Sequence, residues 1–209
     1  MEEKKTPLSF HVIYWIMNII TGLFALVCAG VIVFYVMLWS DFFGDNLQLN
    51  VDLPGQVNYI EAGTMQYGDG EISVELVDAS TKIHFINTPP SLARNFVYIL
   101  MGVCTFIFFI LWTFRQFAAN VRSGEVFTIS NILMLQNISY ALVGFWVYVI
   151  IARRVTYYLV TARIDIQNVE IASEFNSYPW ILLAALFLWV LSHIFLRGLK
   201  LTEEQDLTI

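Results

Sequence analysis

Four long apolar runs dominate the pattern of hydrophobic and polar positions along the chain. A helix needs about 20 apolar residues to span the hydrocarbon core of a bilayer, and each run comes close to or exceeds that length. Tyr98 and Trp112 lie near the two ends of the second run, where an interfacial aromatic belt places such residues. The pattern predicts transmembrane helices at about residues 12–39, 92–115, 131–152 and 178–197.

The first run has an alternative interpretation as a secretory signal peptide, because Lys4 and Lys5 precede it. The run is about 28 residues long, whereas the apolar region of a signal peptide has about 7–15 residues. No small-x-small cleavage pattern follows at residues 39–42. We therefore interpret the run as an uncleaved transmembrane helix.

The segment between the first two runs, residues 40–90, is polar and acidic with alternating apolar positions. Such alternation is typical of half-buried strands. The pattern predicts short strands at 56–61, 71–77 and 82–86, a turn at 67–70, and a fragment at 162–166 that could add a fourth strand. The predicted fold class is an all-α membrane protein with four transmembrane helices and a small extracytoplasmic antiparallel β-sheet between helices 1 and 2.

Composition supports the membrane interpretation. Hydrophobic residues make up 58% of the chain and charged residues only 13%, against about 45–50% and about 25% in soluble domains. The net charge is -6, and the 11 Lys and Arg residues are scattered, so we expect no direct nucleic-acid binding. Cys28 and Cys104 both lie in apolar runs and are interpreted as small hydrophobic residues.

The two membrane faces that four helices create have almost equal numbers of cationic residues. The positive-inside rule, applied to these numbers alone, therefore does not determine the orientation. The N-terminal Lys pair and the large loop on the opposite face favour one orientation. We expect both termini in the cytoplasm, a cytoplasmic tail at 198–209 and an extracytoplasmic β-rich loop at 40–90. The cations of the terminal face are Lys4, Lys5, Arg115, Arg122, Arg197 and Lys200, and those of the other face are Lys82, Arg94, Arg153, Arg154 and Arg163.

No catalytic or metal-binding constellation is visible in the sequence. Of the three histidines, His11 and His193 would lie near the same membrane face without a nearby carboxylate or cysteine, which makes a poor metal site. The centres of the four runs contain no Asp, Glu, Lys or Arg, whereas ionisable residues inside a membrane mark transport pathways. We therefore expect no enzyme activity, no cofactor and no metal, and a small transporter or channel subunit is the alternative function.

Several arginines lie on the loop-bearing face, which otherwise carries many Asp and Glu residues. Two roles stay open for them. They anchor the acidic loop or lipid headgroups, or they bind an anionic ligand. The residues of this predicted extracytoplasmic basic cluster are Arg94, Arg153, Arg154 and Arg163.

Two stretches contain more specific sequence features than a simple connecting segment or tail needs. Before the third run, Phe127 can staple and Thr128 can cap the third helix, and the chain ends in a Leu-x-x-Glu-x-Asp-Leu-Thr-Ile sequence. Together these stretches resemble a bacterial family of uncharacterised four-helix membrane proteins, the domain of unknown function numbered 2975. The matching residues are Gly124, Phe127, Thr128, Asn131, Leu201, Glu204, Asp206, Leu207, Thr208 and Ile209.

The resemblance implies a bacterial inner-membrane location and, for many members, a neighbouring gene for a small helix-turn-helix regulator, but no known activity. We therefore expect a non-enzymatic sensor or partner that engages such a transcriptional regulator in the cytoplasm. Asp206 or the terminal carboxylate is expected to meet Arg122, and a homo-oligomer stays open. The expected docking residues are Arg122, Gly124, Phe127, Thr128, Asn131, Glu204, Asp206, Leu207, Thr208 and Ile209.

Overall fold

Four long helices form the apolar part of the chain in a computed structural model, which describes residues 8–44, 47–67, 70–85, 88–161, 170–172 and 177–206. All four are long and apolar enough to cross a membrane, so the prediction of a multi-pass membrane protein is confirmed. Pro90 and Pro179 begin two of them, at a position where a missing N–H leaves no helical bond unmade. Helix α1 is Leu8–Trp39, α2 is Pro90–Arg122, α3 is Ile129–Thr161 and α4 is Pro179–Asp206.

Contacts between Cα atoms divide the chain into two compact units. The first contains Met1–Val36, Val97–Tyr148 and Tyr178–Ile209, and the second contains Met37–Phe96 and Val149–Ser177. Most of the four helices therefore belongs to the first unit. The second unit holds the strands and the adjoining helix ends.

The predicted fold class is wrong in its β-sheet. The sequence pattern predicted a sheet of short strands between helices 1 and 2, to which a fragment at 162–166 could add a fourth strand. Instead, that segment forms two long strands, β1 at Leu49–Tyr67 and β2 at Gly70–Phe85, and a short β3 at Glu170–Ala172 joins β1 from between α3 and α4. The predicted strand at 162–166 lies outside the described residues. The class that the structure supports is the all-α, four-helix fold of the membrane part.

Irregular pairing explains why the alternation gave the wrong strands. The register of β1 against β2 shifts between Asp52 and Gln56 and again between Asn58 and Glu61. A bulge of this kind leaves extra residues on one strand and interrupts the period-2 pattern within a continuous strand. In addition, β3 lies at Glu170–Ala172, outside the fragment 162–166 that the alternation indicated.

Helices α1 and α2 contact each other at positions spread along their length. Arg115 Nε donates a hydrogen bond to Asn18 Oδ1 at 2.8 Å. Farther along, the hydroxyls of Tyr35 and Tyr98 are hydrogen-bonded, and their ring centroids are 5.0 Å apart. The contact residue moves forward along α1 as it moves backward along α2, so the two helices are antiparallel. Asn18 makes the interhelical hydrogen bond expected of a polar residue in an apolar run.

Helices α2 and α3 pack by fitting large side chains over glycines. The Tyr148 hydroxyl donates to the Ile99 carbonyl oxygen at 2.8 Å. A Cβ atom on Gly102 would stand 2.0 Å from that hydroxyl, and one on Gly144 would stand 3.2 Å from the Phe106 ring. Small residues allow helix backbones to approach closely inside a membrane. The two glycines therefore fix which faces of α2 and α3 meet.

Helices α3 and α4 are joined by a buried polar contact. Ser139 Oγ donates to the Ala185 carbonyl oxygen at 2.8 Å, and both residues are buried. In hydrocarbon an unpaired hydroxyl has no water to bond, so such a contact selects one pairing of the helices.

We predict that Gly102→Ala lowers the thermal stability of the detergent-solubilised protein. The added methyl group displaces the Tyr148 ring, and overpacking of this kind costs about 1–3 kcal/mol. Gly22→Ala and Gly30→Ala are matched controls, because a Cβ atom at either glycine meets nothing within 4 Å. These controls should leave the unfolding midpoint unchanged or raise it. Equal midpoints for all three variants would contradict the packing described for α2 and α3.

Candidate functional site

The segment that joins α2 to α3, residues 123–128, is named the connector, and it begins with a defined helix end. Gly124 has a φ of 91°, a left-handed conformation that glycine adopts without strain. The Gly124 N–H donates to the Val121 carbonyl oxygen, and the Glu125 N–H donates to the Asn120 carbonyl oxygen. This pair of bonds is the Schellman arrangement that closes a helix. Gly124 therefore sets the direction of the connector.

Asn131 holds the connector against the start of α3. Its side chain is fully buried, with 0% of its surface exposed. Its Nδ2 donates to the carbonyl oxygens of Glu125 and Val126, and its Oδ1 accepts a bond from Asn120 Nδ2 at 2.8 Å. One buried amide thus satisfies two connector carbonyls and one side chain of α2. The contacts give the connector a fixed shape.

Thr128 caps α3 as the sequence predicted. Its Oγ1 accepts a hydrogen bond from the Asn131 N–H at 3.3 Å, and its carbonyl oxygen accepts one from the Ile132 N–H at 3.1 Å. A threonine at this position satisfies a backbone N–H that has no partner within the helix. Asn131 is therefore bonded through both its side chain and its backbone.

Phe127 packs on α4 close to the end of the apolar run. Its ring centroid lies 5.3 Å from that of Phe195, which in turn lies 6.2 Å from that of Phe117 on α2. A Cβ atom on Gly198 would stand 2.8 Å from the Phe127 ring. Only glycine at position 198 admits the ring in this position. The connector is thereby docked on α4, beside the residues that lead into the C-terminal segment.

Three apolar residues close in sequence to this contact are exposed. Phe127 retains 47% of its surface exposed in spite of its packing, and Ile129, two residues farther along, is 63% exposed. Leu201, three residues after Gly198 on α4, is 61% exposed. Residues three apart on a helix are neighbours on its surface. We name Phe127, Ile129 and Leu201 the docking face.

The expected contact of Arg122 with the chain end stays a prediction. The Arg122 guanidinium lies 4.6 Å from the centroid of the Tyr14 ring, a cation–π contact with α1. Helix α4 continues unbroken to Asp206, and Glu204 lies exposed within it. The predicted docking residues Leu207, Thr208 and Ile209 lie outside the described residues.

The predicted basic cluster is only partly visible. Arg94 lies 5.0 Å from the centroid of the Trp39 ring, and its Nε donates to the Pro90 carbonyl oxygen at 3.3 Å. Arg153 and Arg154 lie side by side in α3. Arg163 lies outside the described residues, so a shared anionic site for the four stays a prediction.

The described residues include no cluster of candidate metal ligands. Within those residues, no three His, Cys, Asp or Glu side chains lie close enough together to hold a metal ion. Cys28 and Cys104 are both free thiols and both line the groove of about 620 Å3 between α1 and α2. The remaining lining residues are mostly apolar, namely Ala25, Ala29, Val31, Ile32, Met101, Thr105, Phe108, Phe109 and Trp112.

Four residues of this region were not predicted from the sequence. Asn120 bonds Asn131, Tyr14 receives Arg122, and Phe195 and Gly198 receive Phe127. A glycine inside a helix is a known sign of close approach, so Gly198 carried a usable signal. The other three carried none, because their partners lie on other helices or on the connector.

The helices and connector define the class of the protein as a multi-pass, four-helix membrane protein. A family model described as "Protein of unknown function (DUF2975)" matches residues 62–209. The chain therefore belongs to this family, and the resemblance noted from the connector and the tail is confirmed. No match was found among curated proteins, and none among solved structures.

We predict that Asn131→Leu destabilises the protein and loosens the connector. The substitution removes the amide that bonds Glu125, Val126 and Asn120, and each buried group left unpaired costs about 1–3 kcal/mol. Asn137→Leu is the matched control on the same helix, because Asn137 is exposed. Thermal unfolding in detergent should show a lower midpoint for Asn131→Leu alone. A similar midpoint for both variants would refute the bonding role of Asn131.

Proposed function

We propose that the protein is a non-enzymatic membrane partner that binds a soluble helix-turn-helix regulator through its connector and the end of α4. The observation that carries this proposal is the docking face of Phe127, Ile129 and Leu201. Apolar side chains that stay exposed on a rigid support are typical of protein-binding surfaces. The two connector carbonyls bonded by Asn131 supply that rigidity.

The position of the docking face along the helices supports binding to a protein rather than burial in lipid. Arg115 closes the apolar run of α2, and α2 continues to Arg122, which adds about 10 Å of helix beyond the run. On α4, Leu201 follows Arg197 and Lys200. Charged residues at helix ends lie in the headgroup layer or in water. Apolar side chains that are exposed beyond these charged residues lose contact with water when a protein partner covers them.

The same proposal includes the orientation and the location. With the docking face in the cytoplasm, both termini face the regulator, and the strands lie on the opposite side of a bacterial inner membrane. The Lys pair near the N-terminus favours this orientation. Strand residues on the outer side would then receive the signal that the docking face passes on.

We predict that Ile129→Ser abolishes binding of the regulator without disturbing the fold. Ile129 is mostly exposed, so its replacement costs little packing, while the apolar contact with the partner is lost. Phe127→Ala and deletion of residues 206–209 are expected to act in the same direction. The measurement is co-purification of the detergent-solubilised full chain with a helix-turn-helix regulator encoded beside its gene, the partner that the family resemblance implies.

Phe109→Ala is the matched control for that experiment. Phe109 is 47% exposed, the same fraction as Phe127, but it lies within the apolar run of α2. This variant should bind the regulator as the unmodified chain does. Normal binding by Ile129→Ser, or equal loss in Phe109→Ala, would overturn the proposed docking face.

We predict that alkaline phosphatase fused after Asp69 is active and that the same enzyme fused after Gly124 is inactive. Alkaline phosphatase folds only where its disulfides form, outside the cytoplasm. Asp69 lies in the loop-bearing segment and Gly124 in the connector. The opposite activities would place the connector outside the cytoplasm and would exclude a cytoplasmic regulator.

A further inference from the structure

A separate groove lies on the surface of α4, where the apolar run ends. Its volume is about 390 Å3. The residues that line it are all on α4, and they change from apolar to cationic along the helix. They are Val190, His193, Ile194, Leu196, Arg197 and Lys200.

The cationic residues of the groove share one face of the helix. His193, Arg197 and Lys200 follow each other at intervals of four and three residues, which places them in one row. All three are exposed. From Val190 to Lys200 the row spans about 15 Å of helix, enough to extend from the hydrocarbon edge through the headgroup layer.

The aromatic part of the groove is held in place. The ring centroid of His193 lies 4.3 Å from that of Trp189, and His193 Nδ1 lies 3.0 Å from the Trp189 carbonyl oxygen. Tryptophan and histidine combine an apolar ring with a polar nitrogen and suit the level where hydrocarbon meets headgroups. The pair therefore marks the level at which the groove changes from apolar to polar.

We propose that this groove binds one anionic phospholipid, with its phosphate between Arg197 and Lys200 and an acyl chain along Val190 and Ile194. The side chains follow the same order as the parts of a phospholipid, an apolar chain and then an anionic phosphate, because an apolar stretch is followed within about 15 Å by two cations. Clusters of basic residues directly beyond a transmembrane helix attract anionic lipids. A zwitterionic lipid fits the apolar half of the groove equally well. It has no net negative charge, so it is attracted less strongly to Arg197 and Lys200.

The groove is separate from the docking face in chemistry and in lining residues, so the proposal does not depend on the regulator. A free phosphate ion would share the cationic end but would gain nothing from Val190 and Ile194. This difference separates a lipid from a soluble anion experimentally.

The test compares phosphatidylglycerol and phosphatidylcholine with identical acyl chains, added to the full chain in non-ionic detergent. Native mass spectrometry measures the dissociation constant for each lipid. Phosphatidylglycerol should bind about twentyfold more tightly, since each of the two basic residues near the anionic headgroup contributes roughly fivefold. The double variant R197Q/K200Q should weaken phosphatidylglycerol binding by about twentyfold and leave phosphatidylcholine unchanged.

Two further variants separate the effect of charge from the effect of the apolar half of the groove. The double variant R197K/K200R retains both charges and should bind phosphatidylglycerol about as tightly as the unmodified chain. Val190→Trp fills the apolar half of the groove, on an exposed surface where folding is not at risk, and should weaken phosphatidylglycerol binding with the charges intact.

Three results would overturn the proposal. The first is equal binding of the two lipids, and the second is unchanged phosphatidylglycerol binding in R197Q/K200Q. The third concerns inorganic phosphate, which should not raise the thermal unfolding midpoint of the protein. If phosphate alone raises the midpoint as much as phosphatidylglycerol does, the groove is a site for a soluble anion and the lipid proposal is wrong.

Discussion

The hydrocarbon layer gives a polar side chain no water to bond, and the arrangement of the four helices follows from that constraint. Among the described residues, no buried side-chain nitrogen or oxygen atom lacks a hydrogen-bond partner. The Tyr148 hydroxyl reaches a carbonyl of α2, and the Ser139 hydroxyl reaches a carbonyl of α4. Since hydrophobic attraction does not distinguish one lipid-facing surface from another, these few bonds and the glycines beside them select the helix pairs.

Burial inside the protein, rather than the hydrocarbon layer, explains why the connector is rigid. A segment between two helices exposes carbonyl groups that the helices do not satisfy. Asn131 satisfies two of them from a fully buried position, and Gly124 turns the backbone so that α2 closes its own last turn. A rigid connector can hold Phe127 on α4 and still leave part of its ring exposed. A mobile connector would pay conformational entropy on binding a partner.

Structural features that depend on the local sequence were predicted correctly, whereas contacts between distant parts of the chain were not. Hydropathy located all four helices, and Thr128 predicted the cap of α3. The β-strand prediction was wrong because bulges interrupt the alternation within two long strands, and because the third strand lies at Glu170–Ala172 rather than at the indicated fragment 162–166. The contact of Tyr148 with Gly102 depends on how two helices face each other, which no local pattern reports.

The most direct test of the docking face is site-specific photo-cross-linking in cells. A benzophenone amino acid is placed at position 129 in one chain and at position 109 in another, and each chain is co-expressed with the proposed helix-turn-helix regulator. The account predicts a cross-link to the regulator from position 129 and none from position 109, which lies in the apolar run of α2. Cross-linking from position 109 alone, or from neither position, would contradict it.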